Sequence, residues 1–477
     1  MTYHMSTLQG TCIIILGGGG DLAQRKLLPA LFDLYAHELI PAKFSIIGLA
    51  RTVRSDETYQ TFVKEAVFRA RPTESREKID AFVSHIRYVS GSFTEKSSYE
   101  LLTEQVSEFE NAIGMPSNRL FYLAVPPQHY AEIFAMLHAS KIAATHENAS
   151  AWSRILVEKP FGNDYETAEA LDKKLGSLFA EEQIFRIDHY LAKEAVQNIL
   201  SFRFANVLMS SAWNRTHIKE VQITMHETLD VGNRGAFYDA VGALRDVGQN
   251  HMLQILALIA MREPAHLTSH EIRECRAEVL EKLIPLTDQT IKTQFIRGQY
   301  EGYAEVPGVS ESSETETYFE FKAYIDDPAW HDVPFVISAG KALKEARVSV
   351  RIVFKDVATG PFETSSSLSV GNTILLDISP EHSMHITLNM KRPGHGYTIE
   401  SHTLSYAWEQ REAMPIDAYE KVLLDCIEGD QTLFTETREV LASWKFITSI
   451  LERMKRVPLI RYRTGSDGPD PSPLRTI

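Results

Sequence analysis

The sequence predicts two architectures in succession: an α/β unit on a doubly wound parallel sheet, then an α+β unit with a large, mainly antiparallel sheet. Three observations predict this. Up to about residue 190, short and wholly apolar runs alternate with longer amphipathic ones, as parallel strands covered on both faces by helices do. Farther on, apolar and polar residues alternate with period two, the pattern of strands with one buried face. The length of 477 residues exceeds one domain of about 150 residues.

In the first part, strands are expected at 12–16 (CIIIL), 44–49 (FSIIGL), 86–89, 120–125 (LFYLAV) and 155–157, with helices at 21–36, 99–109 and 165–178. Strand and helix in this alternation make a Rossmann-type nucleotide-binding unit, and we set its limits at 1–187. The second unit, 188–477, shows period-two runs at Val221, Ile223 and Met225, at Val348, Val350, Ile352 and Phe354, and at Met384, Ile386, Leu388 and Met390. Helices are expected there at 241–260, 270–283, 418–427 and 438–454. No internal repeat is found, and the tail 464–477, rich in Pro, Gly, Ser and Asp, reads as an irregular or disordered end.

Composition narrows the function. Hydrophobic residues make up 44% and charged residues 23%, which excludes a fibrous or largely disordered chain. With 49 Lys+Arg against 63 Asp+Glu the net charge is −14, which argues against a nucleic-acid partner and, taken globally, against an anionic ligand. The three cysteines, Cys12, Cys275 and Cys426, form no CxxC pair, so no disulfide framework or zinc site is expected, and no metal. The start of the chain lacks a basic segment followed by an apolar one. The most apolar stretch, 252–261, is interrupted by Gln254 and too short for a bilayer. A cytoplasmic protein with no membrane partner is the expectation.

The chemistry is concentrated in three places. After the first strand comes Gly17-Gly18-Gly19-Gly20-Asp21-Leu22-Ala23, leading into a helix. Glycines there let the backbone approach a pyrophosphate held at the helix N-terminus. Leu22 stands where the dinucleotide fingerprint has its third glycine, so a ligand-free glycine turn stays open as the alternative. The second strand ends in Arg51, a residue that accommodates a 2′-phosphate where an acid would hold a ribose hydroxyl. This favours NADP over NAD, a solvated surface arginine being the bland reading. Pro126, after Leu123-Ala124-Val125, ends a strand that closes over the cofactor or merely turns into a helix.

The second place is Arg186-Ile187-Asp188-His189-Tyr190-Leu191-Ala192-Lys193, where a helix start offers donors to a phosphate; an ordinary polar helix start is an equal reading. The third, Arg245-Asp246-Val247-Gly248-Gln249-Asn250-His251, puts polar groups into an apolar helix, where they must be paired or functional. On an ideal helix Asp246 and His251 lie about 140° apart and need not touch.

These residues carry a resemblance. The glycine turn at 17–23, Glu158-Lys159-Pro160-Phe161-Gly162, the run 186–193, Trp213-Asn214, Arg245-Asp246, Gln249-Asn250-His251, Gly340-Lys341-Ala342-Leu343 and Gly429-Asp430-Gln431-Thr432-Leu433-Phe434 resemble, in order, the glucose-6-phosphate dehydrogenase family. The tail fits too, with Tyr462 and Gly465-Ser466-Asp467-Gly468-Pro469, although Asp467 stands where the family usually has Trp. The resemblance implies oxidation of C1 of D-glucose 6-phosphate to 6-phospho-D-glucono-1,5-lactone with hydride transfer to NADP, the first step of the oxidative pentose phosphate pathway. It makes His251 the base and Asp188 its partner carboxylate. His189, Tyr190 and Lys193 align with the phosphate ligands, Glu227 and Asp246 with carboxylates on sugar hydroxyls, and Lys341 with a further substrate contact. Lys159 aligns with a lysine near both cofactor and sugar. Gly17, Gly20, Asp21, Leu22, Lys26, Arg51 and Pro126 complete the cofactor set. The 188–477 unit becomes the substrate-binding, catalytic and oligomerisation domain of a homodimer or homotetramer joined through its sheet.

Departures from the family mark what stays open. Gly19 replaces the usual Ser or Thr, and with Thr52 it leaves NAD use possible. Ala192 replaces Gly, no basic residue precedes Gly340, and Ala346 stands where some members have a substrate-binding Arg, with Arg347 adjacent. Asp377 and Ser379 replace polar or basic residues of some members, so a second NADP site is not assumed. The alternatives are a dehydrogenase for another sugar or sugar phosphate and a catalytically weak NADP-binding sensor or assembly protein. Locally, Lys26, Arg51, Lys159, His189, Lys193 and Lys341 gather around one crevice, which can focus a positive field despite the acidic surface.

Overall fold

The β-branched run at the start of the chain forms β1 (Thr11–Leu16), buried at all six positions in the middle of a seven-stranded sheet. A computed structural model describes residues 9–144, 151–356, 363–364, 371–408 and 417–470. The other strands of the first part are β2 (Phe44–Ala50), β3 (Ile86–Ser90), β4 (Asn118–Leu123), β5 (Ser153–Val157) and β6 (Ile184–Ile187). The second part holds β7 (Ile218–His226), β8 (Phe295–Tyr300), β9 (Tyr318–Ala323), β10 (Phe335–Gly340), β11 (Arg347–Phe354), β12 (Glu363–Thr364), β13 (Thr373–Ser379), β14 (Ser383–Lys391), β15 (Thr398–Ala407), β16 (Phe434–Thr435) and β17 (Leu459–Tyr462).

The first sheet runs β16-β6-β5-β4-β1-β2-β3. Its six strands from the first part are parallel, and β1 pairs with both β2 and β4 from Thr11 onward. Strand order reverses at β1 and β4, so a crevice opens beyond their carboxyl ends, where α/β sheets bind ligands. The expected strands at 12–16, 44–49, 86–89 and 155–157 are all present. Val125, expected inside a strand, lies beyond the end of β4 in the following turn. The antiparallel β16 is contributed by the second part, and Gln431 just before it donates to the backbone oxygens of Glu181 and Ile184.

The second sheet has ten strands, ordered β12-β15-β14-β13-β11-β7-β10-β9-β8-β17, and is mainly antiparallel. Its buried face follows the period-two runs where helices cover it: Ile218, Val221, Ile223 and Met225 of β7, and Val348, Val350 and Ile352 of β11, are buried. The run on β14 behaves differently. Met384, Ile386 and Leu388 are only partly buried and Met390 is 43% exposed.

The expected helices at 21–36, 99–109, 165–178, 270–283, 418–427 and 438–454 are found, the last four as Tyr165–Gly176, Ser269–Glu281, Ala418–Glu428 and Thr437–Leu451. The expected helix 241–260 is three pieces. Gly235–Ala243 is interrupted at Gly242 (φ 73°), Leu244–Met252 is a π-helix, and Leu253–Ala260 is α-helical. Glu316 explains the break: its Oε1 accepts the Leu244 N–H at 3.0 Å, in space that a Cβ on Gly242 would invade. Of the tail, 464–470 is irregular yet fixed, with Gly465 N–H on Ala342 O and Lys344 N–H on Ser466 O; 471–477 lies outside the described residues.

Candidate active site

Lys159 is the second residue past β5 and Asp188 directly follows β6, so both stand at the carboxyl edge of the first sheet. The π-helix brings His251 to the same edge. His251 Nδ1–H donates to Asp188 Oδ1 at 2.5 Å, and both residues are 3% exposed. Asp188 Oδ1 also accepts the Tyr190 N–H at 2.9 Å. Burial works to raise the Asp188 carboxyl, but the charge and hydrogen bond of His251 outweigh it and hold it below its ordinary value. Burial likewise pulls the imidazole of His251 down, against the opposing charge of Asp188, and here burial prevails. The pair is thus an anion beside a neutral ring. A carboxylate can only accept, so the ring proton sits on Nδ1 and Nε2 keeps its lone pair.

Successive backbone bonds in a π-helix join residues five apart, which places Asp246 and His251 one turn apart on the same side. This corrects the separation expected from an ideal α-helix. Lys159 Nζ donates to the Asp246 backbone oxygen at 2.9 Å and lies 3.5 Å from its Oδ1. Glu227 and Lys341 meet for a simple reason: β7 and β10 are parallel neighbours with His226 opposite Gly340, and each residue is the next one along. Lys341 Nζ donates to Glu227 Oε1 at 2.7 Å, and Tyr462 O–H holds the Lys341 carbonyl at 2.7 Å. Tyr238, which the sequence did not single out, joins the groups: Lys341 lies over its ring at 5.4 Å, while burial and the charges of Asp246, Glu316 and Glu227 raise its hydroxyl pKa.

The phosphate candidates follow Asp188. The Tyr190 ring packs on His251 with centroids 4.4 Å apart, and Lys193 Nζ lies 4.2 Å from that ring's centroid. Burial lowers the Lys193 pKa and raises that of Tyr190 to about 12. His189 stands apart from this stack. Its Nε2 is 3.3 Å from Glu158 Oε1, and its ring lies 4.2 Å from that of Tyr419. Lys26 is 5.7 Å from the centre of the same Tyr419 ring.

At the glycine turn the fit for a dinucleotide can be tested atom by atom. Gly17 has φ 95°, and a Cβ there would lie 2.4 Å from Ala124 O. A Cβ on Gly18 would sit 2.8 Å from both Gly48 Cα and the Tyr59 hydroxyl, which itself donates to Gly18 O at 2.9 Å. Gly20 N–H closes the turn on Gly17 O. Glycines at 17 and 18 are therefore required by the closeness of Ala124, Gly48 and Tyr59, and the turn brings bare backbone to the start of the helix, as a pyrophosphate requires. Leu22 packs on the core, which accounts for a leucine in place of a third glycine. Asp21 pairs with Arg25 at 3.4 Å in solvent, Pro126 is exposed at the mouth of the turn, and Arg51 is exposed without a hydrogen bond or ion pair among the described residues.

Comparison with known proteins decides the family. Residues 14–198 match the model described as glucose-6-phosphate dehydrogenase, NAD binding domain, and residues 200–473 match that for the C-terminal domain of the same enzyme. The chain belongs to the glucose-6-phosphate dehydrogenase family. It is 38% identical over 466 residues to glucose-6-phosphate 1-dehydrogenase 6, cytoplasmic, of Arabidopsis thaliana, covering 96% of this chain and 89% of the plant protein. It is 35% identical over 473 residues to the Bacillus subtilis glucose-6-phosphate 1-dehydrogenase, covering 96% and 95%. A solved glucose-6-phosphate dehydrogenase in complex with its substrate glucose-6-phosphate superposes with TM-score 0.89 at 33% identity, covering 98% of this chain and 97% of that one. The first part is accordingly the nicotinamide-dinucleotide-binding domain of this family.

Two of this chain's departures from the family pattern now have a physical setting. Gly19 leaves room for a side chain: a Cβ would be 3.5 Å from Ala50 Cβ and from Arg54 Nη1. Arg54, which no motif marks, lies against Phe62 with its guanidinium carbon 4.3 Å from the ring centroid, and its Nη1 is buried without a hydrogen-bond partner among the described residues. Arg347, next to Ala346, is drawn to Asp377 at 3.4 Å.

Proposed function

We propose that this chain is a glucose-6-phosphate dehydrogenase that oxidises C1 of D-glucose 6-phosphate to 6-phospho-D-glucono-1,5-lactone with NADP as acceptor, opening the oxidative pentose phosphate pathway. The observation that carries the reading is the His251–Asp188 pair, a neutral imidazole with its free nitrogen available and its other nitrogen fixed by a buried anion. The bound dinucleotide supplies the acceptor for the two electrons of the C1–H bond. His251 Nε2 takes the proton of the C1 hydroxyl as the carbonyl forms, and Asp188 stabilises the imidazolium. Glu227 and Asp246 accept from sugar hydroxyls, and Lys341 and Lys159 donate to the sugar. His189, Tyr190 and Lys193 hold the phosphate.

Gly17, Gly20, Asp21, Leu22, Lys26, Pro126 and Lys159 hold the dinucleotide, and Arg51 its 2′-phosphate, the basis for NADP over NAD. A dehydrogenase for another sugar phosphate is the second reading, favoured by Ala346 and by the engagement of Arg347 with Asp377. A cytoplasmic location suits three free, buried cysteines, and no helix among the described residues is long and apolar enough to cross a membrane. We place the domain boundary at 187/188. We also propose a homodimer through the outer strands of the second sheet, where Met390, Leu404 and Tyr406 are 43%, 54% and 57% exposed.

The test is NADPH formation with glucose 6-phosphate, free glucose and other hexose phosphates, before and after His251→Asn. Turnover with glucose 6-phosphate that falls about 10²- to 10⁴-fold in kcat in the variant is expected. Equal efficiency with free glucose overturns the phosphate assignment, and no turnover with any sugar leaves the binding-only alternative.

A further inference from the structure

Glu158 lies immediately before Lys159, and the function above gives it no task. Its side chain is only 13% exposed, and it has three partners from different parts of the fold, two on the carboxylate and one on its backbone. Tyr122 O–H of β4 donates to its Oε1 at 2.6 Å, His189 Nε2 is 3.3 Å from the same oxygen, and Tyr130 O–H donates to its carbonyl at 2.9 Å. Burial pushes its carboxyl up, but the bond and charge of His189 together with Tyr122 outweigh that and keep it below the ordinary value. The neighbouring Lys159 acts on it only through space, since its ammonium is bonded to Asp246. Around His189 stand Glu158 on one side and the Tyr419 ring on the other, with Lys26 beyond that ring. The second ring nitrogen, Nδ1, is buried and has no hydrogen-bond partner.

We propose that Glu158 is a positioning residue for the sugar phosphate: its carboxylate fixes the Nε2–H of His189 and so reserves Nδ1 as the donor to the phosphate. The proposal rests on the reading of His189 as a phosphate ligand. A carboxylate cannot donate, so the nitrogen facing it must keep its proton. In the complex the ring lies between two acceptors, the carboxylate at Nε2 and the phosphate at Nδ1. The Tyr122 bond holds the carboxylate, and the Tyr130 bond holds the Glu158 backbone, so that the ring is oriented before substrate arrives. Because Glu158 and Lys159 are adjacent, the grip on the phosphate and the lysine at the sugar are set by one short piece of backbone after β5.

The experiment is steady-state kinetics of the full-length enzyme for Glu158→Gln, His189→Gln and the double variant, with glucose 6-phosphate and with free glucose. Glu158→Gln is expected to raise KM for glucose 6-phosphate about 10- to 100-fold, the cost of losing a hydrogen bond to a charged group. Its kcat, its KM for NADP and its efficiency with free glucose stay unchanged, and in the His189→Gln background it adds nothing. Glu158→Asp, which keeps the charge but draws it back by one methylene, raises KM in the same direction and serves if the Gln variant does not fold. An unchanged KM in Glu158→Gln beside a raised KM in His189→Gln overturns the proposal and leaves the phosphate reading standing. Equal losses with both sugars, or additive losses in the double variant, overturn it in favour of a structural role. An unchanged KM in His189→Gln refutes the phosphate reading itself.

Discussion

At the scale of single residues, the site works by giving neighbouring groups opposite protonation states. Asp188 and His251 are both wholly buried, and an ion pair there would be costly unless each charge were satisfied. Holding the carboxylate ionised and the ring neutral leaves one buried charge and creates a base. The imidazole lies below its ordinary value of 6.5, so the protonated, inactive ring appears only as pH falls below that value. The acid limb of kcat/KM is therefore expected below pH 6.5, and its midpoint in a pH–rate profile checks this. In Asp188→Asn the ring loses the anion that favours its charged form. The limb should move to still lower pH, while kcat falls about 10²- to 10⁴-fold because the Nδ1 tautomer is no longer enforced. A limb that moves upward contradicts the assigned pairing.

At the scale of elements, the glycine turn and the π-helix show what a sequence can and cannot reveal. The four consecutive glycines look equivalent, yet a Cβ at Gly17 meets Ala124 O at 2.4 Å, while one at Gly19 meets only ordinary contacts at 3.5 Å. Gly17→Ala is expected to destabilise the fold and abolish NADP binding, whereas Gly19→Ser should fold normally with NADP binding retained or tightened. Thermal melting with and without NADP distinguishes them, and a Gly17→Ala protein as stable and as tight as the parent defeats the argument. The strands of the first sheet were legible because helices on both faces demand unbroken apolar runs. β6 was not legible: it is four residues long and contains Arg186, buried and bonded to Glu181, Asp172 and Thr437. The π-helix was equally hidden, since its cause, Glu316, lies far along the chain. The charged members of the site were readable from motifs. Tyr122, Tyr130, Tyr238 and Tyr419 were not, because scattered tyrosines look like core until their hydroxyls and ring faces are located.

At the scale of the whole molecule, the central strands β1, β2 and β4 of the first sheet are almost wholly buried, whereas the outer strands β14 and β15 of the second carry exposed apolar residues. The period-two run on β14 predicts a covered face, but Met390, and Leu404 and Tyr406 of β15, remain exposed. A second copy covering this face reconciles the pattern with the exposure, and Leu404→Arg is expected to halve the mass seen by light scattering at matched concentration; an unchanged mass excludes this interface. The acidic excess of the chain does not oppose the proposed phosphorylated substrate, because the cations proposed to meet it are local: Lys159 stands past the end of β5 and Lys341 past the end of β10.

The short strand β16 has a consequence of a different kind. It completes the dinucleotide sheet from residues 434–435, and Gln431 beside it satisfies the backbone oxygens of Glu181 and Ile184. While the protein is being synthesised, the cofactor half emerges first but keeps a raw edge until residues 434–435 have left the ribosome. Its final closure is therefore timed by a segment about 250 residues farther along the chain, and a fragment cut at 187/188 would expose that edge as a template for pairing with other chains.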